Sequence, residues 1–144
     1  MKYISLSLVL IYLLFTSNAN AFSSLVVVVS KDSTIESLNE NDVANIFLAR
    51  TRYYPNGEKS TPVELKDSNF REEFYQNIAG KNTKQLMAYW TTLVFTGKGR
   101  PPKAYKELAP LLDKLSTQKN YITYLDSALV TNNMKIVYRF SSSL

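Results

Sequence analysis

Leu25-Val26-Val27-Val28-Val29, closed by the polar run Ser30-Lys31-Asp32-Ser33, is the stretch on which the fold class turns. Five consecutive apolar residues, four of them β-branched, form a run too short for a core helix and without alternation. They predict a strand buried on both faces, as in a parallel sheet covered by helices.

Downstream, helical and extended signals alternate. Asn39 is placed to cap a helix, with Asp42 at its third position and Leu38 able to staple onto Val43. Val43, Ile46 and Phe47 make its apolar stripe, which runs out near Arg50. Pro55-Asn56-Gly57 signals a turn. Pro62 to Leu65 reads as a short strand that opens on its proline. Asp67-Ser68 is placed to cap a second helix, with Phe70, Phe74 and Ile78 as its core face and Gly80 as its stop. Asn82 or Thr83 opens a third, with Leu86, Met87, Trp90, Leu93 and Val94 on one face and the Trp as a core anchor. Gly97 to Pro102 ends it. Pro110 is suited to the first position of a fourth helix, with Leu111, Leu112 and Leu115 as its apolar positions. Tyr121 to Leu125 and Lys135 to Tyr138 read as the last strands, separated by a short helical turn at Asp126 to Val130. Ser141 to Leu144 is expected to fray. This order predicts one α/β domain with a mainly parallel or mixed sheet flanked by helices.

Upstream, Met1-Lys2 precedes an apolar run from Ile4 to Phe15, and Ala19-Asn20-Ala21 has the A-x-A form of a cleavage site. Residues 1–21 are therefore expected to be a signal peptide and 22–144 the exported domain, with no membrane insertion after cleavage. The chain has no Cys and no His. These absences exclude disulfides, the usual zinc ligand sets, cysteine nucleophiles and imidazole-based triads. Asp42, Asp67, Asp113 and Asp126 show no pairing suited to acid–base work, so a binding protein without cofactor is expected rather than an enzyme. The net charge of +5 suits an anionic ligand or surface. The basic residues read as spread along the chain rather than gathered into a nucleic-acid stripe.

Ligands of open α/β sheets bind where strands end and helix N-termini point unpaired N–H groups outward. Leu65-Lys66-Asp67-Ser68-Asn69-Phe70-Arg71 is such a place. Ser68 offers a hydroxyl, Asn69 an amide, and Phe70 and the residues after it backbone donors. Arg71 puts a cation into the first helical turn, against the helix dipole, which a bound oxyanion would offset. The other reading has Ser68 capping the helix and Arg71 pairing with Glu72, Glu64 or solvent. Thr96 to Arg100, with two glycines, Lys98 and Arg100, lacks phosphate-loop spacing and follows a helix, so it reads as a helix stop.

The ordered set Asn41 to Arg50, Tyr54-Pro55-Asn56-Gly57, Pro62-Val63, Asp67 to Phe74, Tyr89-Trp90, Phe95 to Pro102 and Asn120 to Leu125 resembles the phosphate-binding, PstS-like members of the periplasmic solute-binding protein superfamily. The resemblance implies a single lobe of the type 2 periplasmic-binding-protein fold in the periplasm. It also implies a phosphate or related oxyanion held at Ser68, Asn69, Phe70 and Arg71, and a link to phosphate ABC transport. The family's S-G-T turn stands here as Ser68-Asn69-Phe70, the Gly of its I-G-Y run is Thr123, and its phosphate-binding Arg lies before the turn where Arg71 lies after it. A single lobe cannot enclose an anion as two do. The alternative implied is a lobe that docks onto an envelope protein without transporting a ligand, through Tyr53-Tyr54 or the Lys98 to Pro102 loop.

Overall fold

The computed structural model describes residues 24–141. The expected signal peptide, its cleavage site and the last three residues lie outside that range. Five strands and four helices follow one another as β1 (Leu25–Ser30), α1 (Glu40–Phe47), β2 (Thr61–Leu65), α2 (Arg71–Ala79), α3 (Thr83–Phe95), β3 (Lys103–Tyr105), α4 (Leu108–Thr117), β4 (Tyr121–Asp126) and β5 (Met134–Arg139), with a 3-10 turn at Ser127–Leu129. The strands form one sheet of order β3-β2-β4-β1-β5.

β1 is buried along its whole length, as the valine run predicts. Its side chains alternate between two cores. Leu25, Val27 and Val29 face α1, α2 and α3, and Val26 and Val28 face α4. The parallel pairing expected for this strand is corrected. β1 runs antiparallel to both β4 and β5, whereas β2 is parallel to β3 and β4. A run of valines reports burial on two faces but carries no information on strand direction. Pro62 falls inside β2 without breaking it. Thr61 donates its N–H to Asn120 on the β4 side. The missing N–H of Pro62 therefore falls on the β3 side, where pairing begins only at Val63.

A register shift between Val27 and Val28 opens the β1–β5 ladder, and the Val137 carbonyl accepts the Leu38 N–H at 2.8 Å. That bond fixes the approach to α1, where Asn39 and Asp42 form the expected capping box. Asn82 and Gln85 repeat the device on α3. Gly80 stops α2 in a left-handed conformation, φ +59°. α4 begins two residues before Pro110, which sits in its first turn. β3 was not expected. It is a three-residue edge strand directly after Pro101-Pro102, too short to show a period.

Candidate functional site

β2 ends at Leu65, and Lys66 donates its N–H to the Tyr105 carbonyl at 2.7 Å. Asp67 then takes a left-handed φ of +61°, which turns the chain sharply toward α2. The Ser68 hydroxyl oxygen accepts the Phe70 N–H at 3.2 Å, and the Ser68 carbonyl accepts the Arg71 N–H at 3.1 Å. The helix cap expected at Asp67-Ser68 is thus corrected. α2 starts at Arg71, its N-cap is Phe70, and no side chain caps it. Ser68 closes a local turn instead. Two of the backbone donors expected to face a ligand are already used within it. Glu72 and Glu73 occupy the first turn of α2, so the helix dipole is met by the chain's own carboxylates.

Arg71 is engaged as well. Its Nε donates to Glu64 Oε1 at 3.2 Å. Alternation along β2 sends Val63 into the α4 core and Glu64 to the opposite face, among the aromatic residues of α2 and β4. There Tyr75 and Tyr124 donate their hydroxyls to Glu64 Oε2 at 3.2 and 3.1 Å. Glu64 is only 4% exposed, and three donors meet its charge. Phe74 stacks on Tyr124 with ring centroids 3.9 Å apart and meets Phe47 edge-on at 4.8 Å, which holds the tyrosine rings in place. Burial, and then the neighbouring carboxylate, push both tyrosine hydroxyls well above their ordinary range. Burial, the largest single influence, lowers the Arg71 guanidinium, but the Glu64 charge, the hydrogen bond to Glu64 and the nearby Tyr75 and Tyr124 together outweigh it, and the net direction is upward.

Ser68, Asn69 and Arg71 do line one cleft of about 590 Å³. Phe70 packs against the core instead. The same cleft carries Glu64, Asp67 and Glu72 against Lys66 and Arg71, so carboxylates outnumber cations where an oxyanion was expected. No group of three or more acidic residues able to hold a metal is found among the described residues.

A second feature was not read from the sequence. Leu86 and Trp90 of α3 are buried, as expected. Met87 and Val94, assigned to that same face, are 66% and 52% exposed, and Phe95 is 92% exposed. They line up with Thr91 at helical spacing as a second stripe. α3 is apolar on two sides, and only one meets the core. The outer stripe walls an open groove of about 530 Å³, closed on its far side by Pro101, Pro102 and Ala104, with Arg71 and Glu64 beside it. The signal was present in the sequence: five large apolar residues between Leu86 and Val94, plus Phe95, exceed what a single stripe of a 13-residue helix buries.

The Thr96 to Arg100 segment is the helix stop expected of it. Gly97 takes φ +67°, its N–H donates to Val94, and Lys98 donates to Leu93 at 2.9 Å, the paired bonds of a Schellman motif. Gly99 lies flat on its surroundings. A Cβ there would meet Ala49 Cβ and Leu93 Cδ2, each at 3.1 Å.

No family model matches the chain, and no curated protein matches it. Solved structures do. A Clostridium perfringens protein assigned to the phosphate ABC transporter substrate-binding proteins, solved with bound phosphate, superposes with a TM-score of 0.61 at 12% identity, over 80% of this chain and 44% of that one. An ABC-type phosphate transport receptor from Vibrio cholerae gives 0.58 at 10% identity, over 80% and 45%. PstS from Borrelia burgdorferi gives 0.56 at 13% identity, over 80% and 46%. The chain spans less than half the length of these proteins. At such identities the likeness is one of fold: an open mixed α/β sheet flanked by helices, shared with phosphate-binding proteins of the periplasmic-binding-protein class.

Proposed function

We infer that this chain is an exported lobe of the phosphate-receptor fold that works as a protein-interaction module in the cell envelope, without carrying a ligand. The observation that carries this reading is the open apolar stripe Met87, Val94 and Phe95 on α3. A small soluble domain gains no stability from leaving such a stripe in water, whereas a partner would bury it. No described helix is long and apolar enough to cross a membrane, so the stripe is not part of a span among the described residues. Export rests on the Met1 to Ala21 pattern alone.

The test is capture from envelope extracts on immobilised protein. A partner retained by the wild type and released by Phe95→Ser together with Met87→Ser supports the reading. Equal retention on both would sink it.

A second reading, an oxyanion-binding module, is favoured by one observation. The Ser68 hydroxyl, the exposed Asn69 and the Arg71 guanidinium share one cleft, and among the described residues the terminal Arg71 nitrogens donate no hydrogen bond. Calorimetric titration with phosphate and sulfate separates the two. Heat that vanishes in Ser68→Ala and Arg71→Ala establishes the oxyanion module. No heat at millimolar oxyanion leaves the interaction module.

A further inference from the structure

The charge of this molecule is concentrated around the α3 groove. Residues 81–106 contain Lys81, Lys84, Lys98, Arg100, Lys103 and Lys106 and no Asp or Glu, while the rest of the chain has one more carboxylate than cations. The other eleven cations are spread along the rest of the chain, and the local excess arises because acids are missing from this segment. Among the described residues the ion pairs are Arg71–Glu64 and Lys135–Glu36, so none of these six cations has a carboxylate partner. Lys84, Lys98, Arg100, Lys103 and Lys106 are exposed.

The Pro101-Pro102 segment is a divider. On one side lies the apolar groove of α3. On the other lies a second cleft, of about 590 Å³, lined by Arg52 and Arg100 and by no carboxylate; Lys103 borders it, with its ammonium over the Tyr105 ring, 5.0 Å from the centroid. Ser60 lines that cleft at 5% exposure, and its hydroxyl has no hydrogen-bond partner. A buried hydroxyl without a partner is uncommon and costs stability. The two clefts share Val94, Pro101 and Pro102, so one short segment of chain could reach both.

Resting on the interaction reading above, we propose that the occupant is a protein segment carrying a bulky apolar side chain next to carboxylates. The apolar side chain enters the α3 groove against Met87, Val94 and Phe95. The carboxylates cross Pro101-Pro102 and meet Arg52 and Arg100. A second copy of this chain is a poor occupant, because apposing two such faces would place their unpaired cations together. A flat anionic membrane would satisfy the charges but leave the concave groove unfilled.

Trp90 is the only tryptophan in the chain and lines the groove, so its fluorescence reports occupancy. The purified protein is titrated with the blocked peptide EDLFED, and separately with KKLFKK, with EDSSED and with vesicles of phosphatidylglycerol and phosphatidylethanolamine. A saturable change in Trp90 emission with EDLFED alone supports the proposal. It should weaken by roughly tenfold in Phe95→Ser with Met87→Ser, and by a similar factor in Arg52→Glu with Arg100→Glu. It should also weaken as salt is raised. KKLFKK binding as well as EDLFED overturns the charge selection and leaves the interaction reading standing. EDSSED binding equally overturns the role of the groove. Vesicle binding without EDLFED binding overturns a protein occupant in favour of lipid. The interaction reading itself fails on a different measurement, the envelope capture above, when wild type and the Phe95→Ser with Met87→Ser variant retain the same proteins.

Discussion

Arg71 reaches back seven residues to Glu64, and its Nε lies 3.2 Å from Glu64 Oε1. The carboxylate sits where Arg71, Tyr75 and Tyr124 converge, and its oxygens take three hydrogen bonds that an external oxyanion would compete for. The turn that reads as an anion site therefore has an internal anion beside it.

Replacing that carboxylate by its neutral isostere should release Arg71. Glu64→Gln is expected to bind phosphate or sulfate at concentrations where the wild type gives no heat, and Glu64→Gln with Arg71→Ala should lose the gain. Calorimetry reads both. Glu64→Ala is a separate matter of stability. Removing the buried partner of a half-exposed ion pair, and with it the acceptor of two buried hydroxyls, should cost about 2–3 kcal/mol in urea denaturation, most of it from the hydroxyls left unpaired. A loss under about 1 kcal/mol would mean that the network contributes little.

Thr123 is fully buried on β4, and its hydroxyl has no partner. Its neighbour across the ladder is Val28, and the surrounding face is the aliphatic α4 core. Thr123→Val keeps the β-branch and removes the unmet polar group. A gain of about 1 kcal/mol is expected, seen as a higher urea midpoint with an unchanged slope. A loss of stability would show that Thr123 has a partner after all.

Tyr54, Tyr75 and Tyr124 are held neutral by burial first and by nearby carboxylates second, and the hydroxyls of all three are pushed upward. The unfolded chain titrates near the ordinary value of about 10. Below that pH both states keep these protons and the contribution is fully present. Above it the unfolded state binds fewer, so stability should fall by about 1.4 kcal/mol per pH unit for each tyrosine. Absorbance near the phenolate band should show these three ionising together with unfolding. Independent titration in a folded protein would contradict it.

A methyl group on Gly99 would lie 3.1 Å from both Ala49 Cβ and Leu93 Cδ2, a tight contact that its neighbours must relieve by a few tenths of an ångström. Gly99→Ala should destabilise by about 1 kcal/mol through overpacking and shift Leu93 on α3, weakening EDLFED binding as well. Loss of stability with unchanged peptide affinity would separate this glycine from the groove.

Phe95→Ser and Met87→Ser should leave folding within about 0.5 kcal/mol of the wild type, because neither side chain is buried. Thermal melts check this. A large drop would mean that the stripe supports the fold and is not an open face.

The elements were legible where local chemistry decides them. Asn39 with Asp42, Asn82 with Gln85, Gly80 and Gly97 act through backbone groups a few residues away, so their types and spacing are enough. What escaped is what distant residues decide. The reversal of β1 depends on β4 and β5, about a hundred positions later. The burial of Met87 and Val94 depends on whether anything covers the outer side of α3. The pairing of Arg71 was among the alternatives its neighbours allow, but only the alternation of β2 against α2 and β4 brings Glu64, Tyr75 and Tyr124 to the same point. A glutamate inside a five-residue strand that otherwise reads Thr, Pro, Val and Leu was the available clue.

The reversal of β1 also constrains how the molecule is made. Both hydrogen-bonding partners of this interior strand lie about a hundred positions downstream, Leu25 opposite Asp126 and Val27 opposite Tyr138. Until those downstream residues have been synthesised, the valine run of β1 has neither strand partner. Assembly must then close a loop of about a hundred residues, which makes for slow folding and a long-lived sticky intermediate. The pairing of β1 thus completes only once β4 and β5 are available, which makes the sheet a late product of assembly.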